Sequence, residues 1–196
     1  LSVNSNEGYM IKQYDWWPFE TPIIDTKLIQ MFNKSISENY HATEDAVHGA
    51  TDNEGNYLKN IKPKNIILKY LPDPYSEILS MAFNVCHYKF GFNTFPPSVW
   101  DELLYNVYSG DVKGRYGEHH DGSKLWSYDI KMTFLLNLSE EPYEGGDFII
   151  DKKPQHFFRE PGTAILFKSH LKHEVTPVTR GERKSLTYFI CGPKFQ

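Results

Sequence analysis

Residues 103–120 read Leu-Leu-Tyr-Asn-Val-Tyr-Ser-Gly-Asp-Val-Lys-Gly-Arg-Tyr-Gly-Glu-His-His. Two strand-like runs, Leu103–Tyr108 and Tyr116–His120, flank a turn that opens with Ser109-Gly110. Such runs with turn residues between them read as strands. The same grammar repeats downstream, with strand-like runs at Tyr128–Leu138, Asp147–Ile150, Ala164–Lys168, His173–Pro177 and Ser185–Ile190. Gly145-Gly146, Pro161-Gly162 and Gly181 punctuate them, and Gly145-Gly146 reads as a hairpin turn. Many short strands with regular turn signals indicate a sandwich or barrel.

Upstream the periodicity is helical. Leu28, Ile29, Phe32 and Ile36 share one face of Asp25–Asn39, with Asp25 as N-cap. Ile78, Leu79, Ala82, Phe83, Cys86 and Phe90 do the same over Ser76–Phe90, with Ser76 as cap. Asn65–Leu71 reads as a short strand stopped by Pro72-Asp73-Pro74, and Ala42–Asn60 as a loop. The expectation is a β-rich α+β chain whose helices cover one face of a sheet, since an apolar sheet face needs a partner layer.

At 196 residues the prior is one domain, and a chain of this size buries roughly 70% of its unfolded surface. Aromatic residues reach 15%, which favours strands. The net charge of −4 argues against a sequence-independent nucleic-acid binder, which carries a basic face. Cys86 and Cys191 are too few for a disulfide scaffold; they read as two free buried thiols, with a single bridge as the alternative. No apolar run approaches the ~18 residues of a membrane span and no charged-then-apolar leader appears, so a cytoplasmic protein without membrane partners is expected.

The chemistry concentrates in Tyr116-Gly-Glu-His119-His120-Asp121. On a strand, His119 and Asp121 project to one face and His120 to the other. An imidazole and a carboxylate so placed can hold adjacent positions on one metal. Alone, His-x-Asp is a weak signal. A third imidazole, His173, would complete a set of two His and one carboxylate; His170 is its rival. That set binds non-haem Fe(II) and leaves three positions open. Ten residues on, the fork of Arg183 suits a bidentate carboxylate, with Ser185 on the same strand face. A ligand spanning from metal to Arg183 would chelate iron at one end and present a carboxylate at the other, the form of 2-oxoglutarate.

The order Tyr116-x-x-His119-x-Asp121, Gly145-Gly146-Asp147, His173-x-Val175-x-Pro177-Val178 and Arg183-x-Ser185 resembles the Fe(II)/2-oxoglutarate dioxygenases, especially the prolyl 4-hydroxylase branch. The resemblance covers about Tyr105 to Gly192, and Val47–Leu71 looks like the arm these enzymes carry before the barrel. It implies a double-stranded β-helix, a jelly-roll, cupin-like barrel: one domain over residues 1–196, with 1–99 as helical support and arm and 100–196 as the core with the site. It implies Fe(II) on His119, Asp121 and His173. It also implies 2-oxoglutarate as co-substrate with its distal carboxylate on Arg183, dioxygen, and ascorbate as an accessory reductant. Tyr108 matches a position that contacts the co-substrate, and Thr133, with Leu135 two residues on, the position lining the carboxylate pocket. Halogenases of the family lack the carboxylate ligand, so Asp121 favours hydroxylation. The expected activity is a hydroxylase releasing succinate and CO2, with proline in a peptide or protein as substrate. The N-terminal arm and the Asp111–Arg115 loop would shape the peptide groove, and Trp126 and Tyr128 either flank the entrance or only pack. The rival readings are the same chemistry on a free amino acid, a small metabolite or a nucleobase, and a non-catalytic cupin-like metal-binding module.

Overall fold

The computed structural model describes residues 15–39, 64–68, 75–96, 103–122 and 128–194. The expected loop at Ala42–Asn60, the proline stop at 72–74, Trp126 and most of the Val47–Leu71 arm lie outside these. In chain order the elements are β1 (Trp16–Phe19), α1 (Thr26–Asn39), β2 (Lys64–Leu68), α2 (Tyr75–Val85), β3 (Leu103–Ser109), β4 (Tyr116–His119), β5 (Asp129–Asn137), β6 (Glu144–Gly145), β7 (Phe148–Ile150), β8 (Lys153–Pro154), β9 (Ala164–Lys168), β10 (His173–Val175), β11 (Val178–Arg180) and β12 (Glu182–Gly192).

All described strand pairings are antiparallel. One sheet runs β1-β9-β5-β12-β3-β2, a second β4-β10-β7-β8, and β11-β6 form a third short ladder. Period-two alternation divides the central strands of the large sheet between two faces. Leu103, Tyr105 and Val107 of β3, Met132, Phe134 and Leu136 of β5, and Leu186, Tyr188 and Ile190 of β12 pack in one buried cluster. Ile29, Phe32 and Ile36 of α1 and Ile78, Leu79 and Ala82 of α2 join them there. The opposite faces send Tyr108, Leu135, Ile165 and Phe167 against Phe148, Ile150, Val175 and Val178 of the smaller sheets. This is the jelly roll, with helices on the outer face of the large sheet and the site in the space between sheets.

Local chemistry explains the boundaries. Asp25 caps α1, its Oδ1 accepting from the Leu28 amide at 2.8 Å. Asn33 pins α1 to the sheet: its amide donates to the Leu138 carbonyl at 2.9 Å and its Oδ1 accepts from the Tyr105 hydroxyl at 2.8 Å. α2 begins at Tyr75, one residue before the expected cap Ser76. The second helix also does not continue regularly to Phe90; Cys86–Phe90 form a π-helical turn that ends at Gly91 with φ 67°.

The Gly145-Gly146 pair is not a hairpin turn. β6 pairs with β11 and β7 with β10, so the chain runs on alongside one continuous partner and bends at the glycines from one ladder to the next. Both glycines have positive φ, and a Cβ on Gly145 would stand 2.2 Å from the Pro177 carbonyl oxygen. Arg159 locks this bend, donating to Asp147 Oδ1 at 2.8 Å and 3.0 Å and to the Gly145 carbonyl at 2.8 Å. The hairpin proper lies at Asp151-Lys152, both with positive φ, joining β7 to β8.

Candidate metal centre

His119 ends β4, His173 opens β10, and the two are register partners in one antiparallel ladder. Two imidazoles are thereby set side by side, ring centroids 4.2 Å apart. Asp121 follows β4 by two residues, and its amide donates to the Ser169 carbonyl at 2.9 Å, which holds it beside β10. One ligand atom from each of His119, Asp121 and His173 lies within 4.8 Å of the others, the one such three-residue group found among the described residues. Nε2 of His119 is 3.7 Å from Asp121 Oδ1, and Nε2 of His173 is 3.5 Å from Oδ2.

Both rings are held in the same tautomer. Nδ1 of His119 lies 2.8 Å from the Gly117 carbonyl and Nδ1 of His173 lies 3.0 Å from the Leu171 carbonyl. A carbonyl only accepts, so each Nδ1 carries the proton and each Nε2 turns a lone pair toward the cluster. His173 is buried against the rings of Phe167 and Phe148, at 4.8 and 5.9 Å. Tyr116 packs on His119 at 4.0 Å. Burial first, then the Asp121 charge, pushes its phenol up to about 12, so it stays protonated at any working pH. His170 is exposed and outside the group, and His120, which follows the end of β4, is exposed as well.

The other end of the space holds Arg183. It is register partner to Tyr108 of β3, and its side chain is 1% exposed. The guanidinium lies over the rings of Tyr108 and Phe158, at 5.3 and 5.6 Å, and Nη1 donates to Ser185 Oγ at 3.2 Å. Nε and Nη2 are buried with no hydrogen-bond partner. Among the described residues, no carboxylate pairs with this charge. Burial pushes the Tyr108 phenol upward, with Arg183 opposing, so a neutral ring faces the cation.

Thr133 lies elsewhere than expected. Its hydroxyl donates to Asp121 Oδ2 at 2.6 Å, so it stands at the three-residue cluster and not beside Arg183. The register accounts for this. Thr133 pairs with Phe189, six residues beyond Arg183 on β12, roughly 20 Å along the strand. Leu135 is the inward residue of β5 that packs with Tyr108 and Phe158. The Asp111–Arg115 loop, expected to shape a peptide groove, is tied by its backbone to β11 and the turn after it. Gly110 donates to the Gly181 carbonyl at 2.9 Å and Gly114 accepts from the Val178 amide at 2.9 Å, so the loop closes the Arg183 end. Tyr128 packs edge-on against Phe95 at 6.4 Å.

Two inward polar residues escaped the sequence reading. Asn106, two residues before Tyr108, donates to the Thr187 hydroxyl at 3.1 Å, and Thr187 follows Ser185 by two. Strand alternation from the two named residues was the signal that would have found them.

The donor set fits a divalent iron ion. Two imidazoles and a carboxylate converge, with both rings turning Nε2 toward the shared centre. The orphaned guanidinium fits a carboxylate from a bound small molecule.

Comparison with known proteins agrees with this donor set. Residues 103–191 match the family model of the 2OG-Fe(II) oxygenase superfamily. A PKHD-type hydroxylase of Nitrosomonas europaea is 36% identical over 97 residues, covering 44% of this chain and 42% of the relative. One of Alteromonas mediterranea is 44% identical over 99 residues, covering 45% and 40%. The chain thus spans about two fifths of the length of these curated relatives. A prolyl-4-hydroxylase of Pseudomonas putida superposes with a TM-score of 0.64 at 15% identity, over 92% of this chain and 94% of that one. The viral collagen prolyl hydroxylase of Paramecium Bursaria Chlorella virus-1 gives 0.63 at 13%, over 93% and 99%. The β body at residues 103–191, with its His119-Asp121-His173 cluster between jelly-roll sheets, is thus similar to the 2OG-Fe(II) oxygenase superfamily over the stretch that carries the donor set.

Proposed function

We propose that this protein hydroxylates proline in a peptide or protein, using Fe(II), 2-oxoglutarate and dioxygen and releasing succinate and CO2. The observation that carries the reading is the Arg183 guanidinium, buried with two unpartnered nitrogens in a space whose other end holds two imidazoles and a carboxylate. A module that only stores metal has no use for a buried cation waiting for a carboxylate.

In this reading His119, Asp121 and His173 hold the iron. When bound, iron with its co-substrate supplies the oxidising chemistry for an unactivated C–H bond. The protein's part is geometric. The Gly117 and Leu171 carbonyls fix both rings with Nε2 toward the metal. Arg183 takes the distal carboxylate through its free nitrogens, Ser185 orients the guanidinium, and Tyr108 walls the same end. Phe148 and Phe167 keep water from the back of His173.

Proline as the target is supported by the relatives, which are PKHD-type hydroxylases, and by the fold shared with prolyl hydroxylases of known structure. The same reading takes residues 1–196 as one domain, 1–99 as helical support and arm and 100–196 as the barrel. It places the protein in the cytoplasm, where Cys86 and Cys191 stay reduced. Among the described residues no helix is long and apolar enough to cross a membrane.

The test is succinate release under air with Fe(II) and 2-oxoglutarate, across proline-containing peptides and free amino acids, with mass spectrometry for a 16 Da gain. Peptide-dependent succinate with a gain on proline is expected. His119→Ala and Asp121→Ala should each abolish turnover while leaving the far-UV spectrum of the fold intact. Full turnover in either variant refutes the site, and a gain only on free amino acids refutes the substrate.

A further inference from the structure

Asp121 sits beyond the end of β4, so no strand pairing fixes its side chain. Its backbone N–H donates a hydrogen bond to the Ser169 carbonyl. The carboxylate itself meets a group from the opposite sheet: Thr133 Oγ1 donates to Oδ2 at 2.6 Å. Thr133 is 1% exposed on β5, between β9 and β12, with Phe167 and Phe189 as register partners. Its backbone is thus paired on both sides, and its hydroxyl engages one oxygen of the two.

We propose that Thr133 is a positioning residue that holds the Asp121 carboxylate turned toward the metal. This rests on the metal assignment proposed above. Thr133 engages Oδ2 from a strand that is paired on both sides, and so pre-orients a ligand that the coil alone would leave to rotate. Groups that orient metal ligands in this way are typically worth ~10–100-fold in metal affinity.

The test measures binding of Mn(II) alone by electron paramagnetic resonance titration, with no turnover required, in the whole chain and in Thr133→Val, Thr133→Ser and Asp121→Ala. Valine keeps the volume and removes the hydroxyl; serine keeps the hydroxyl and loses a methyl from the packing. Weakening by ~10–100-fold in Thr133→Val, with Thr133→Ser within a few-fold of the parent, is the expected result. Parent-like affinity in Thr133→Val overturns the proposal, and so does equal weakening in both variants, which would trace the effect to packing. Parent-like affinity in Asp121→Ala is a different failure, because it removes the metal assignment itself.

Discussion

Replacing Arg183 by methionine should stabilise the ligand-free protein and, in the same step, abolish its response to 2-oxoglutarate. A buried ion without a counter-ion costs several kcal/mol. Here the offsets are a hydrogen bond to Ser185, about 1.5–3 kcal/mol for a charged donor, and two ring faces at 5.3 and 5.6 Å, about 0.5–2 kcal/mol each. These nearly balance the cost, so a methionine of similar length should gain about 1 kcal/mol by filling the space without a charge. For a chain of this length that raises Tm by ~2–4 °C. The parent, given Mn(II) and 2-oxoglutarate at a hundred times its Kd, should gain about 2.7 kcal/mol, or ~5–10 °C. The variant should gain nothing beyond what Mn(II) alone gives. Thermal unfolding followed by circular dichroism, with and without ligand, measures both. A variant that melts lower without ligand, or still rises with 2-oxoglutarate, refutes the claim that this guanidinium is held uncompensated for a carboxylate.

Gly145→Ala should destabilise by at least ~2 kcal/mol in urea titration, since it adds a left-handed penalty to a Cβ at 2.2 Å from the Pro177 oxygen. Gly91→Ala, with similar φ and nothing within 4 Å, should cost only ~1 kcal/mol, and equal losses would show that the contact is relieved cheaply. Stability should fall as pH rises from 9 to 12. Burial raises Cys86 from 9.0 to about 12, and burial with the Asp121 charge raises Tyr116 from 10.0 to about 12. The unfolded chain ionises first, so the contribution is whole below the unfolded values and is lost through the folded ones. A urea midpoint that stays flat over this range contradicts it, and Cys86→Ala with Tyr116→Phe should shallow the decline.

Much of the architecture was legible because alternation and turn chemistry are local. Ala164–Lys168 has the same bounds in sequence and structure. What escaped was decided by partners. β1 was missed because Pro18 breaks the strand signal; it is tolerated there because β1 lies at the sheet edge. β12 extends to Gly192 because it is a central strand paired on both sides by β3 and β5. Gly145-Gly146 carries the composition of a hairpin, and only the pairing of β6 with β11 shows it to be a bend within a continuing strand.

The site divides the same way. The identity of the three ligand residues and of Arg183 follows from residue type and order along the chain, because imidazole, carboxylate and guanidinium carry their chemistry wherever they stand. Which atoms face inward does not. The tautomers rest on backbone carbonyls of Gly117 and Leu171, which any residue could provide. The partner of Thr133 rests on the strand register between sheets, which moves a hydroxyl from the Arg183 end to Asp121. Sequence by itself fixed which groups were available; the approach of distant segments, a sum over many contacts, decided which of them meet.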